Sequence, residues 1–104
     1  MTLPELSIII PTLNEAESLP LLLADLVQQR ELAFEVVVSD GGSVDSTRAI
    51  VEAFFASGQL SGNCVVGPVG RGRQLNLGVG AAKAEWLLFL HADSRICDVL
   101  QLRN

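Results

Sequence analysis

Four polar stretches of this sequence carry side chains that can do chemistry, and three of them directly follow apolar runs. Glu15 closes Pro11-Thr-Leu-Asn-Glu15, which ends the run Leu6 to Ile10. Asp40 lies in Ser39-Asp-Gly-Gly-Ser43, just after Val36 to Val38. His91 and Asp93 follow Trp86-Leu-Leu-Phe-Leu90, and Arg71 and Arg73 alternate with Gly70 and Gly72. Two guanidinium groups among glycines at the start of a helix suit an oxyanion such as a diphosphate; a solvated basic loop is the plainer reading. Asp93 is of the type that ligates a hard cation, since Mg2+ takes one or two carboxylates plus phosphate oxygens; an N-cap is the commoner fate of a lone Asp. His91 reads first as a packed histidine and second as a ligand for Mn2+. A lone Asp40 would be read as stabilising its own turn.

Other phosphate and nucleophile motifs are absent. The turn after the first strand has no glycine, so the G-x-G-x-x-G dinucleotide fingerprint is missing there, and Gly70-x-Gly72 lacks the third glycine because position 75 is Leu. There is no G-x-x-x-x-G-K-[ST] sequence. Without G-x-S-x-G, a triad from Ser43, His91 and an Asp has little support.

The elements that must position these groups alternate. Leu6 to Ile10 reads as a strand stopped by Pro11. Leu19, Leu22, Leu23, Leu26 and Val27 recur at helical spacing, predicting a helix from Glu15 to about Arg30 with Asn14 as N-cap and Pro20 in or near its first turn. Val36 to Val38 has the composition of a buried parallel strand, and Asp45-Ser-Thr47 starts a helix carrying Ala49, Ile50, Ala53 and Phe54 that fades at Ser57-Gly58. Asn63 to Val66 is a brief third strand. Gly70 to Gly78 leads into a small-residue helix that runs to about Ala84, and Trp86 to Leu90 is the fourth strand. The order β-α-β-α-β-α-β specifies one α/β domain with a parallel sheet, helices on its faces and right-handed crossovers. Its polar turns fall on one carboxyl edge, where ligands bind in such sheets, so Glu15, Asp40, His91 and Asp93 are expected around one cleft.

Composition narrows the class. The 104 residues are 49% hydrophobic and 18% charged, with net charge −5, which argues against a nucleic-acid partner. Cys64 and Cys97 form no metal-binding spacing and read as free thiols of a reducing compartment. The N-terminus lacks the basic region of a signal peptide, and no run approaches the roughly 20 apolar residues of a membrane span. A soluble cytoplasmic protein without a transmembrane segment is expected.

Together, Ser7-Ile-Ile-Ile-Pro-Thr-Leu-Asn-Glu15, Asp40-Gly-Gly-Ser-Val-Asp-Ser-Thr47, Gly70-Arg-Gly-Arg-Gln-Leu-Asn-Leu-Gly78 and Leu90-His-Ala-Asp93 resemble the family 2 glycosyltransferases of GT-A fold. The Arg-Gly-Arg and His-Ala-Asp forms are similar to the rSAM/selenodomain-associated transferase 2 subgroup. The resemblance covers nearly the whole chain and implies a Rossmann-like nucleotide-binding half, a sheet of about four strands in order 3-2-1-4. It implies a nucleoside-diphosphate sugar as donor, transferred to an acceptor hydroxyl with Mn2+ or Mg2+. Pro11, Leu13 and Glu15 would line the nucleotide pocket, Asp40 would hydrogen-bond the base, and Arg71 or Arg73 would approach the diphosphate. Asp93 matches the last Asp of the family's Asp-x-Asp and His91 stands where many members have Asp, so both are candidate metal ligands.

The family continues into a second half bearing the acceptor site and general base. After Ser94 the only carboxylate is Asp98, which is not assigned as base. The expectation is therefore a truncated chain, inactive alone, that self-associates through its exposed fourth strand. The competing class is a non-catalytic nucleotide-binding or association module. An unrelated receiver-type domain fits less well, because it would want paired acidic residues after the first strand.

Overall fold

The computed structural model describes residues 4–29 and 33–94. Strand β1 (Leu6–Thr12) is followed by α1 (Leu19–Val27), β2 (Phe34–Asp40), α2 (Thr47–Ala56), β3 (Gly62–Val66), α3 (Arg71–Ala81) and β4 (Trp86–Phe89). The strands form one parallel sheet in the order β3-β2-β1-β4. Consecutive Leu6–Thr12 and Phe34–Asp40 pair in register, so Thr12 lies beside Asp40 at the carboxyl edge.

Alternation of side chains along the central strands divides the core into two layers. Ile8, Ile10, Val36 and Val38 face Leu19, Leu22, Leu23 and Leu26 of α1 and Val51 of α2, all without exposed surface. Ile9 and Val37 are equally buried on the opposite face. There α3 lies close to the sheet, because Gly78 presents no side chain: a Cβ at that position would stand 2.5 Å from Ile9 Cγ2.

Several boundaries differ from the sequence reading, each for a tertiary reason. Strand β1 runs through Pro11 to Thr12. Ile9 O accepts from Leu90 N on the β4 side, so the nitrogen of Pro11, two residues on, faces the same side beyond the end of β4, where no ladder bond is lost. Helix α1 starts at Leu19 with Pro20 in its first turn, Ser18 rather than Asn14 being the N-cap. Asn14 instead adopts a left-handed conformation, φ 54°. Helix α3 stops at Ala81 rather than near Ala84, because the Glu35 carboxylate accepts from Lys83 N (2.5 Å) and Ser7 Oγ from Ala84 N (3.0 Å). Ser7 Oγ in turn donates to Glu35 (2.6 Å), so one buried carboxylate at the amino edge ties the exit of α3 to β1 and β2. Strand β4 ends at Phe89, one residue earlier than expected. Arg30, Cys97 and Asp98 lie outside the described residues.

No described helix is long and apolar enough to cross a membrane. Burial pushes the Cys64 thiol up to about 11.

Candidate functional site

The carboxyl edge is built on a buried carboxylate. Asp40 ends β2 with no exposed surface, and its two oxygens are occupied from within the chain. Oδ1 accepts from Thr12 Oγ1 (2.7 Å) and Ser43 Oγ (2.6 Å), and Oδ2 from Ser43 N (2.7 Å) and Gly42 N (3.0 Å). Burial by itself would raise its pKa, but the bonds from Ser43, Thr12 and Gly42 outweigh that and hold the carboxyl below its ordinary value. This differs from what the resemblance implied, since a carboxylate sealed and saturated in this way has no free face for a nucleotide base. What Asp40 does here is fold the turn; Gly42, at φ 96°, supplies the left-handed step that aims two backbone N–H groups at it.

That turn is laced to the loop after β1. Asn14 Oδ1 accepts from Val44 N (2.8 Å), while Asn14 N donates to Ser43 Oγ (2.8 Å) and Glu15 N to Thr47 Oγ1 (2.8 Å). Ala16 N donates to Asp45 Oδ2, and Asp45 Oδ1 accepts from Thr47 N and Thr47 Oγ1. The Thr47 hydroxyl and amide hold the Asp45 carboxyl below its ordinary value as well. Two loops that are each polar and irregular thus satisfy one another's backbone, and Leu13 and Glu15 are carried on a fixed frame.

The third component is the start of α3. Its N-cap is Gly70, with φ 146° and no capping side chain, so its first-turn amides and positive dipole end face the carboxyl edge. Arg73 leans back over Gly70: a Cβ there would be 3.4 Å from Arg73 Cδ. Gln74, 5% exposed, reaches under the loop to the ends of β1 and β2. Its Nε2 donates to Thr12 O (2.8 Å) and Ser39 O (2.9 Å), and its Oε1 accepts from Gly70 N (3.1 Å).

Between these components lies an open cleft of about 220 Å³, lined among others by Pro11, Leu13, Glu15, Gly70, Arg71 and His91. A smaller hollow of about 130 Å³ shares Pro11, Arg71 and His91 and adds Leu75, Phe89 and Leu90. Of the expected site residues, the structure therefore gathers Pro11, Leu13, Glu15, Arg71 and His91 around one space. It places Asp40 beneath the turn, and Arg73 and Asp93 outside the cleft lining. Asp93 and His91 are both exposed, at either side of buried Ala92. Among the described residues no three His, Cys, Asp or Glu side chains cluster as a metal site. One carboxylate and one imidazole fit a hard cation only as part of a shell completed by other oxygens.

Sequence reasoning missed Asn14 as a bridge, Ser43 and Thr47 as relay hydroxyls, and Gln74 as a staple. The first three sit inside motif stretches and were signalled by type. Gln74 also lies in a motif stretch, Gly70 to Gly78, but its partners Ser39 and Thr12 are 35 and 62 residues away and only the assembled sheet brings them to it.

Comparison with known proteins supplies a further set of observations. Residues 7–97 match Glycosyl transferase family 2. A PGL/p-HBAD biosynthesis glycosyltransferase of Mycobacterium bovis is 39% identical over 99 residues, covering 92% of this chain and 38% of the relative. Among solved structures, Staphylococcus aureus TarS 1–349 in complex with UDP-GlcNAc superposes with a TM-score of 0.86 at 31% identity, covering 95% of this chain and 29% of TarS 1–349. The mannosyltransferase PcManGT of Pyrobaculum calidifontis, in complex with GDP-Man and Mn2+, gives 0.88 at 26% identity, covering 100% and 32%. The chain thus spans less than two fifths of the length of these relatives.

Proposed function

The chain belongs to glycosyl transferase family 2, and on that premise we propose that residues 1–104 are the nucleotide-sugar-binding half of a GT-A glycosyltransferase, taking a nucleoside-diphosphate sugar as donor. The observation that carries this reading is the convergence of Pro11, Leu13 and Glu15 with Gly70, Arg71 and His91 on one cleft at the carboxyl edge. Pro11 and Leu13 offer an apolar wall to the nucleoside. Arg71, at the open amino end of α3, offers the diphosphate a guanidinium beside a positive helix dipole. Arg71 takes this role rather than Arg73, which packs back on Gly70.

Asp93 and His91 would be the residues to hold Mn2+ or Mg2+, which would need further oxygen ligands from the bound diphosphate. Such an ion supplies positive charge where negative charge gathers on the departing diphosphate. Arg71 stabilises the same charge directly. No described residue is assigned as the base that deprotonates the acceptor, so a non-catalytic nucleotide-binding module is the second reading.

Calorimetric titration of the chain with UDP and GDP, with and without Mn2+, tests the donor site. Expected is metal-assisted binding that Arg71→Ala and Asp93→Ala each weaken; failure of both nucleotides to bind sinks the reading. Donor-sugar hydrolysis under the same conditions then separates enzyme from module.

The sheet also exposes β4 as an edge, with Trp86 73% and Phe89 50% accessible. We propose self-association through this edge. A monomeric mass by light scattering at micromolar concentration would rule it out.

A further inference from the structure

We propose that Gln74 is a positioning residue for the cleft: it fixes the start of α3, and with it Arg71, against the ends of β1 and β2. The inference rests on the nucleotide reading above and extends it to a side chain that reading does not use.

The geometry is specific to one functional group. Three main-chain groups converge where β1, β2 and the loop before α3 meet: the buried carbonyls of Thr12 and Ser39, and the part-buried amide of Gly70. Two are acceptors and one is a donor. A primary amide supplies both at once, and only one of its two orientations satisfies all three partners. Glu has no donor, Met has neither group, and Asn is one methylene too short to reach from this helix. The neighbourhood is shaped around this side chain: a Cβ on Gly41 would stand 3.1 Å from both Gln74 Cδ and Gln74 Oε1. Two of the residues that Gln74 holds, Thr12 and Gly70, line the cleft together with Gln74 itself and Arg71. Arg71 lies one residue beyond Gly70, the atom group that Gln74 anchors. Losing the amide would remove one donor each from Thr12 O, which keeps the bond from Gly41 N (2.9 Å), and from Ser39 O, and would take the acceptor from Gly70 N, freeing the loop that aims Arg71.

A double-mutant cycle tests this. UDP and GDP affinities are measured by calorimetry for wild type, Gln74→Met, Arg71→Ala and the double variant. If Gln74 acts through Arg71, Gln74→Met weakens the better nucleotide about tenfold in wild type and adds almost nothing to Arg71→Ala. Gly41→Ala, which crowds the amide without removing it, keeps the test alive if Gln74→Met does not fold, and the same coupling to Arg71 is expected. Equal losses in both backgrounds would mean a general structural role and would overturn the inference, as would no loss at all. If wild type binds neither nucleotide, the nucleotide reading falls and this inference falls with it. Binding by wild type with additive losses removes this inference alone.

Discussion

Replacing Asp40 by Ala removes a buried acceptor and should unmake the turn at the end of β2. Four donors lose their partner: Thr12 Oγ1, Ser43 Oγ, Ser43 N and Gly42 N. Gly42 is exposed, so its amide can turn to water, whereas Thr12 is 2% and Ser43 3% exposed. Three donors orphaned in the interior, at about 1 kcal/mol each, put the loss near 3 kcal/mol. For a domain of this size each kcal/mol lowers Tm by about 4–8 °C, so a fall of about 12–24 °C is expected in a circular-dichroism melt. The pH dependence gives an independent check. Because the folded carboxyl lies below its ordinary value of 3.8, it contributes stability that is fully present above that value and is lost as pH falls through the folded pKa. Stability of the wild type should therefore decline below about pH 4, and Asp40→Asn should show a shallower decline. Asp45 titrates in the same direction, so the slope is reduced rather than abolished. A melt within about 4 °C of wild type for Asp40→Ala, or an acid slope unchanged in Asp40→Asn, would refute the account of Asp40 as the structural centre of the turn.

Three further substitutions probe the fold at both edges of the sheet. Gly62→Ala would set a Cβ 1.8 Å from Val36 O at a backbone φ of 149°, so β3 must shift; we expect a loss of at least about 2 kcal/mol in urea unfolding, and a neutral effect would contradict the packing described. Glu35→Ala strips the acceptor from Ser7 Oγ and Lys83 N, at a cost of about 2 kcal/mol, with faster hydrogen exchange at the Lys83 amide. Unchanged exchange there would show that the exit of α3 is held by something else. Asn14→Ala both loses the acceptor for Val44 N and forces alanine to φ 54°, so it should be less stable than Asn14→Gly by about 1 kcal/mol; the reverse order in paired melts would count against the left-handed geometry.

Much of this protein was written in local sequence. The β-branched runs at Ile8 to Ile10 and Val36 to Val38 specify buried parallel strands without reference to anything distant. The alternation of strands with helical leucine spacing then brings every strand-end polar group to one edge. That alternation placed Glu15, Asp40, His91 and Asp93 on one edge, of which Glu15 and His91 line the cleft, whereas Pro11, Leu13 and Arg71 were legible only through the family resemblance of their motifs. What escaped depends on pairs far apart along the chain. Gln74 meets Thr12 across 62 residues and Ala84 meets Ser7 across 77, and each pair requires the sheet to be assembled. Asn14 looked like a helix cap because capping is the local use of its side chain, but a backbone 30 residues away offered Val44 N instead. Asp40 is the sharpest case. Its type and place at a strand end fitted both a ligand contact and a turn, and only register pairing with Thr12 and closure of the loop through Ser43 decided between them. A carboxylate's chemistry is set by which donors reach it first, and that is a property of the folded chain.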